Sequence, residues 1–156
     1  MNDSLFYYGN TELLKQTKTA FLCSRIIPSS AVLKCYDWAI EQREKGNCVI
    51  SGFQSRIEKD VLHYLLQGNQ PVIIALSRGL KKRIEPDLQD AISKNRLLIA
   101  TSFAETVKRP SVETATKRNR MMIEMADEIV FGYIGEGGVL AKLKSEYESK
   151  KKVTIL

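Results

Sequence analysis

A chain of 156 residues, 44% of them hydrophobic, has enough apolar side chain for one domain with a full layered core and too little length for two such domains. Its 24 Lys and Arg against 18 Asp and Glu leave a formal charge of +6, which favours anionic partners such as nucleic acid, nucleotides or an acidic surface. Cys23, Cys35 and Cys48 form no CxxC pair and His63 is the only histidine, so the paired spacing of a structural zinc site is missing and no metal or cofactor is implied.

The cysteines read as buried thiols of a reducing compartment. No apolar run is long enough to span a membrane, and the opening "MNDSLFYYGN" lacks the basic-then-apolar order of a secretory signal, so the expected location is the cytoplasm, away from membranes.

Taken in chain order, residues 1–16 predict an N-terminal arm or short helix, with Thr11 of "TELLKQ" as its cap and Phe6, Tyr7 and Tyr8 docked on the core. Six short, nearly continuous apolar runs come next: "TAFLC" (19–23), "NCVIS" (47–51), "PVIIALS" (71–77), "LLIATSF" (97–103), "EIVFGYI" (128–134) and "KVTIL" (152–156). Strands buried on both faces read this way, and such strands belong to parallel sheets.

Between the runs lie helical periods. Leu33, Tyr36 and Ile40 share one face, as do Ile57, Val61, Leu62 and Leu65, then Leu88, Ala91 and Ile92. Met122, Met125 and Ala126, and finally Val139, Leu140, Leu143 and Tyr147, repeat the pattern. Strand and helix alternating along the whole chain predict a single α/β domain over 1–156, a Rossmann-like three-layer αβα sandwich on a mostly parallel sheet of about six strands.

Ligands of an open parallel sheet bind beyond the carboxyl ends of its strands. The connections that leave those ends hold eleven of the 24 basic residues: Arg25, Arg56, Arg78, Lys81, Lys82, Arg83, Lys108, Arg109, Lys117, Arg118 and Arg120. The same connections carry Ser24, Ser51, Gly52, Ser55 and Gly79, small residues that let a phosphate approach backbone N–H groups at helix starts. Lys117, Arg118 and Arg120 read as crowding the head of an apolar helix, where a positive side chain opposes the helix dipole unless an anion is to be met. Glu58 and Asp60, by contrast, read as ordinary acids complementing the dipole of the second helix, and His63 as a surface or packing residue.

Catalytic patterns are absent: there is no GxGxxG after the first strand, no GxxxxGK[ST] and no GxSxG. With the elements placed, the sequence resembles the DprA/Smf family of DNA-processing proteins from about residue 20 to 143. "CSRIIPSS" (23–30) is similar to the family's GSR-type first loop and "VISGFQSRIEKD" (49–60) to its SGLARGID motif. "VIIALSRGL" (72–80) with "EPDLQDAI" (85–92) resembles the family's strand ending in GxGL and the segment after that strand. "LLIATSF" stands where the family has LLSEYP, and "KRNRMMIEMADEIVFGYIGEGG" (117–138) resembles the segment that carries its RNR triplet, here Arg118, Asn119 and Arg120.

The resemblance implies a non-enzymatic domain that binds single-stranded DNA in a basic pocket, as a homodimer, and helps load a recombinase during natural transformation. Carried over by position, Ser24, Arg25, Ser51, Gly52, Arg118, Asn119 and Arg120 would contact phosphate, joined by Ser55, Arg56, Arg78, Gly79 and Lys117 and by the turn glycines Gly135, Gly137 and Gly138. Two departures stand out: Ser55 and Arg56 replace the motif's Arg-Gly pair, and "GEGGVLAK" puts Glu136 in the glycine turn.

The sequence also resembles, more loosely, the LOG (lysine decarboxylase-like) phosphoribohydrolases. That comparison implies a nucleotide N-glycosidase with an arginine on the same helix and a glutamate after a PGGxGT turn. Arg118 meets the first need, while Ala141 and Lys142 stand where the second would be. A sensor of a phosphorylated nucleotide on the same fold is the remaining alternative.

Overall fold

The structure is a computed structural model that describes residues 4–156. Its centre is a seven-stranded sheet in the order β1-β5-β4-β3-β2-β6-β7. The strands are β1 (Phe6–Gly9), β2 (Lys18–Leu22), β3 (Cys48–Ser51), β4 (Val72–Ala75), β5 (Leu97–Thr101), β6 (Glu128–Phe131) and β7 (Lys152–Ile155). All neighbours are parallel except β1, which runs antiparallel along β5 with Tyr7 opposite Ala100.

Five helices connect them: α1 (Ser29–Lys45), α2 (Arg56–Leu66), α3 (Pro86–Ser93), α4 (Val112–Met125) and α5 (Val139–Tyr147). Each strand of β2 to β6 is buried along almost its whole length. Alternate residues supply two cores, as the pleat requires. Ala20, Leu22, Ile50, Ile73, Leu98, Ile129 and Phe131 face Met122 and Ile123 of α4 and Leu143 of α5. Phe21, Val49, Val72, Ile74, Leu97 and Ile99 face Cys35 and Ala39 of α1, Ile57, Val61 and Leu65 of α2 and Ala91 of α3. Burial of each such large side chain contributes about 1.5–3 kcal/mol, so the helices are held mainly by these two stripes.

The six runs read from the sequence are the six parallel strands. The seventh strand, β1, lies where an arm or short helix was expected, and leads into a short 3₁₀ segment (Thr11–Lys15) whose cap is Asn10, not Thr11. Gly9 permits the corner with φ 116°, and a side chain there would strike the Leu97 carbonyl at 2.4 Å. Tyr7 packs on the core as expected, while Phe6 and Tyr8 face solvent.

The buried stripe of α1 also differs from the expected one. Ala31, Cys35 and Ala39 lie inside and Leu33 is 65% exposed, because small residues at i, i+4 and i+8 let α1 settle close to the sheet. Trp38 stacks on Phe21 at the border, ring centroids 4.9 Å apart. All three cysteines are free and buried, and burial pushes the Cys48 thiol up to about 12. No described helix is long and apolar enough to cross a membrane.

Candidate functional site

Strand order reverses at β2. From there the chain winds outward through β3, β4 and β5, then α4 carries it back over the sheet to β6 on the other side of β2. Beyond the carboxyl ends of β2 and β6 the two diverging connections leave a crevice. Its floor is tied together: the Ser24 backbone N–H donates to the Tyr133 carbonyl at 3.0 Å, and the Gly135 N–H donates to Ser24 Oγ at 2.8 Å. Gly132 has no room for a side chain, since a Cβ would sit 2.6 Å from Cys35 Sγ and 3.2 Å from Cys23 Sγ.

The α3 start has no side-chain cap but carries Asp87 in its first turn, and the other helix starts that face this end of the sheet are of two kinds. Those of α2 and α4 are sealed by their own side chains through capping boxes, Ser55 with Glu58 and Ser111 with Thr114. Those of α1 and α5 begin after Pro28 and Gly138, carry no side-chain cap and no acid in the first turn, and flank the reversal point. Unsatisfied N–H groups and the positive dipole end therefore collect at α1 and α5, beside Ser24 and the Gly135–Gly138 turn, which is where an anion gains most.

Arg118 lies at a second place on the same end of the sheet, over β3 and β4. Helix α4 starts at Val112, so Arg118 projects from its second turn and not from its head, as the sequence suggested. The side chain runs under the sheet's rim to β3 and β4: Nη1 donates to the Ala75 carbonyl at 3.2 Å and Nε to Asn119 Oδ1 at 2.9 Å. Gly52 makes this path possible, because a Cβ there would lie 2.2 Å from Nη1. Arg118 is only 6% exposed and, among the described residues, in no ion pair. Burial pushes its pKa down from the usual arginine value, and the charge of Glu58 partly opposes that. A buried guanidinium left without a contacting carboxylate is costly, which makes Arg118 a candidate anion contact.

Arg118 forms one wall of a cavity of about 420 Å³ over the end of β4, between α2 and α3. Gly52, Phe53, Arg78, Lys81 and Leu88 are among its other walls. Arg78 is half-buried, and its Nε donates to the Gly79 carbonyl at 3.2 Å. Arg25 is exposed in the first connection and Arg56 opens α2.

The remaining residues singled out from the sequence have other local roles. Ser51 Oγ accepts from the Phe53 N–H at 3.2 Å and holds the turn in which Phe53 takes φ 48°. Ser55 spends its hydroxyl on the cap of α2. Gly79 is closed over by the connection after β5: its N–H donates to the Val107 carbonyl at 2.9 Å, and a Cβ would meet the Ala104 oxygen at 2.2 Å. Lys117 points to solvent 3.6 Å from Glu113. Arg120 lies against α5, where its guanidinium pairs with both oxygens of Glu146. Gly137 and Gly138 stand exposed at the tip of the turn with Glu136, and Gly137 takes φ 65°.

Glu58 is the residue whose role sequence reading understated. Its carboxylate accepts from three backbone N–H groups in two different connections: Cys23 at 3.2 Å, Gln54 at 2.9 Å and Ser55 at 3.2 Å. The S-x-x-E spacing of Ser55 and Glu58 announced the cap, but nothing local announced the reach to Cys23.

This geometry defines a class: a doubly wound, Rossmann-like α/β protein with basic residues in the connections at the carboxyl end of its sheet. The particular family comes from sequence: residues 2–156 match the model of the family described as DNA recombination-mediator protein A, and the chain belongs to that family of DNA-processing proteins. No curated protein matches the chain.

Among solved structures it is similar to DNA processing protein A (DprA) from Streptococcus pneumoniae, with 22% identity and a TM-score of 0.77 over 97% of this chain and 54% of that one. The structure describing single-stranded DNA binding by DNA processing protein A from Helicobacter pylori is similar at 19% identity and TM-score 0.77, over 97% of this chain and 70% of that one. The molybdenum cofactor carrier protein from Chlamydomonas reinhardtii shares the fold more distantly, at 13% identity and TM-score 0.57, over 90% of this chain and 75% of that one. The chain thus spans just over half the length of its S. pneumoniae relative.

Proposed function

We propose that this chain, acting as one domain, binds single-stranded DNA along the crevice at the carboxyl ends of its strands. Phosphates are received by the uncapped starts of α1 and α5, around Ser24 and Gly135, and by Arg118, with Arg25 and Arg78 on the rim. The carrying observation is Arg118 itself, buried, in no ion pair among the described residues, and lining the cavity against Gly52, where a side chain would collide with it. Membership of a DNA-processing family and likeness to a relative whose structure is described with single-stranded DNA support the same reading. Its wider form is a homodimer that hands the strand to a recombinase.

Affinity then comes mostly from phosphate neutralisation, with little sequence preference and a steep dependence on salt, each phosphate contact adding roughly 0.7 to the slope of log K against log salt. Fluorescence anisotropy with a labelled oligo-dT at two salt concentrations tests this directly. No binding at low salt ends the proposal; binding unchanged in Arg118→Ala ends the assignment of the site.

One observation favours a second reading, a phosphorylated mononucleotide as ligand. The cavity beside Arg118 is walled by Phe53, Leu62, Ile74 and Leu88, apolar surface suited to a single base. Saturable binding of a nucleoside monophosphate by a protein that ignores oligo-dT would select it.

A further inference from the structure

We propose that Glu58 is a positioning residue of the crevice, a carboxylate that holds two ligand-facing connections and Arg118 in register without touching the ligand. The inference rests on the crevice reading above. It begins from a conflict of sign: an acid close to a phosphate site lowers its affinity by Coulomb repulsion unless it contributes something larger.

Three contacts show what Glu58 contributes. Oε2 accepts from the Cys23 N–H, the residue before Ser24 in the first connection, while Oε1 accepts from the Gln54 and Ser55 N–H groups in the second. A single carboxylate therefore ties the end of β2 to the start of α2. Through the second connection it fixes Gly52, on which the Arg118 guanidinium lies. Its negative charge also counters the burial that pushes the Arg118 pKa down, from a distance beyond ion-pair contact. The donors of the guanidinium are not consumed by a direct carboxylate partner among the described residues.

The same contacts explain why α2 is not a phosphate seat although it starts at the crevice. Ser55 Oγ takes the Glu58 N–H, the Glu58 carboxylate takes the N–H groups of Gln54 and Ser55 just ahead of the helix, and a negative charge stands there. An incoming strand is thereby directed to α1, α5 and Arg118.

Two substitutions separate positioning from bare charge. In Glu58→Gln the charge is lost, and the amide keeps one acceptor oxygen for two connections, so one tie breaks. Charge alone predicts tighter binding of oligo-dT; positioning predicts binding weaker by about tenfold. Glu58→Asp keeps the charge and the cap but shortens the reach to Cys23, and its affinity falls between wild type and Glu58→Gln.

The decisive readout is a double-mutant cycle. In an Arg118→Ala background Glu58→Gln loses the share of its effect that acts through the arginine and keeps the share that acts through the Cys23 tie, whereas a general loss of stability adds in full. Amide hydrogen exchange at Cys23, Gln54 and Ser55, read without any ligand, accelerates in Glu58→Gln if the brace is real. Affinity equal to or above wild type, or additivity in the cycle, overturns the proposal. Unchanged exchange at all three amides does so as well, even if wild type binds no DNA and the crevice reading has failed by itself.

Discussion

Arg118 and Arg120 leave the same helix two residues apart, roughly 200° around its axis, and meet opposite fates. The flank of α4 that carries Arg118 turns to the ends of β3 and β4, where the guanidinium is buried on Gly52 with no acid in ion-pair contact among the described residues. The flank that carries Arg120 turns to α5, where Glu146 pairs with its guanidinium through both oxygens at the surface. Burial without a partner is expensive and is kept where a ligand completes the pairing; an exposed pair contributes little to stability and needs nothing further. Of two arginines in one triplet, position in space buries one against Gly52 and gives the other a surface pair with Glu146.

The hardest test of that contrast is Arg118 itself. Arg118→Ala weakens oligo-dT binding by about thirtyfold, roughly 2 kcal/mol, as anisotropy would show. Arg118→Met does the same to binding yet raises the urea midpoint, with a gain of about 1 kcal/mol, because an unpaired buried charge has been replaced by apolar volume. Lower stability in the methionine variant together with unaltered binding would falsify the assignment of Arg118 as a ligand group.

A smaller effect is expected at Gly52. The Cβ of Gly52→Ala would lie 2.2 Å from Arg118 Nη1, and the flexible end of the arginine moves aside. About tenfold in affinity is lost while the fold tolerates the change, a split visible by comparing anisotropy with thermal melting. On the other flank, Arg120→Ala leaves affinity within about twofold, since only a distant exposed charge is removed.

The smallest effect is a pH signature well away from both arginines. The Tyr36 hydroxyl donates to Asp60, and that hydrogen bond, with some burial, pushes its pKa from 10.0 up to about 12. The raised pKa favours the protonated form in the folded state, so its stabilising share is complete below about pH 10 and is lost between pH 10 and 12. Ultraviolet titration should show a late tyrosine in wild type that returns toward the ordinary value in Asp60→Asn.

Much of the fold was legible because doubly buried strands leave a composition signature. Val49-Ile50, Val72-Ile73-Ile74 and Leu97-Leu98-Ile99 are apolar on both faces, and only a parallel sheet covered on both sides accommodates them. β1 was not legible, since "FYYG" is an edge strand with three of its four residues exposed and thus lacks the run that marked the others. The face of α1 was misjudged for a related reason: hydrophobicity pointed to Leu33, but closeness to the sheet selected Ala31, Cys35 and Ala39.

The site divides along the same line. Concentration of basic residues in the strand-end connections, the small residues among them and the RNR triplet were visible in the sequence, as was the family resemblance that residues 2–156 bear out. Which helix starts remain open was only half visible: the Ser55–Glu58 box could be read, whereas the bare starts at Pro28 and Gly138 gain meaning from lying on either side of the β2–β6 reversal.

By itself, then, the amino-acid sequence determined the layers, the parallel strands and the end of the sheet at which positive charge would collect, because those depend on composition and period along the chain. Tertiary structure alone decided that Arg118 goes in and Arg120 out, that Glu58 reaches across to Cys23, and that Gly52 is the surface on which a guanidinium lies. These are contacts between connections dozens of residues apart, set by how helices seat on a twisted sheet, and no local pattern encodes that distance.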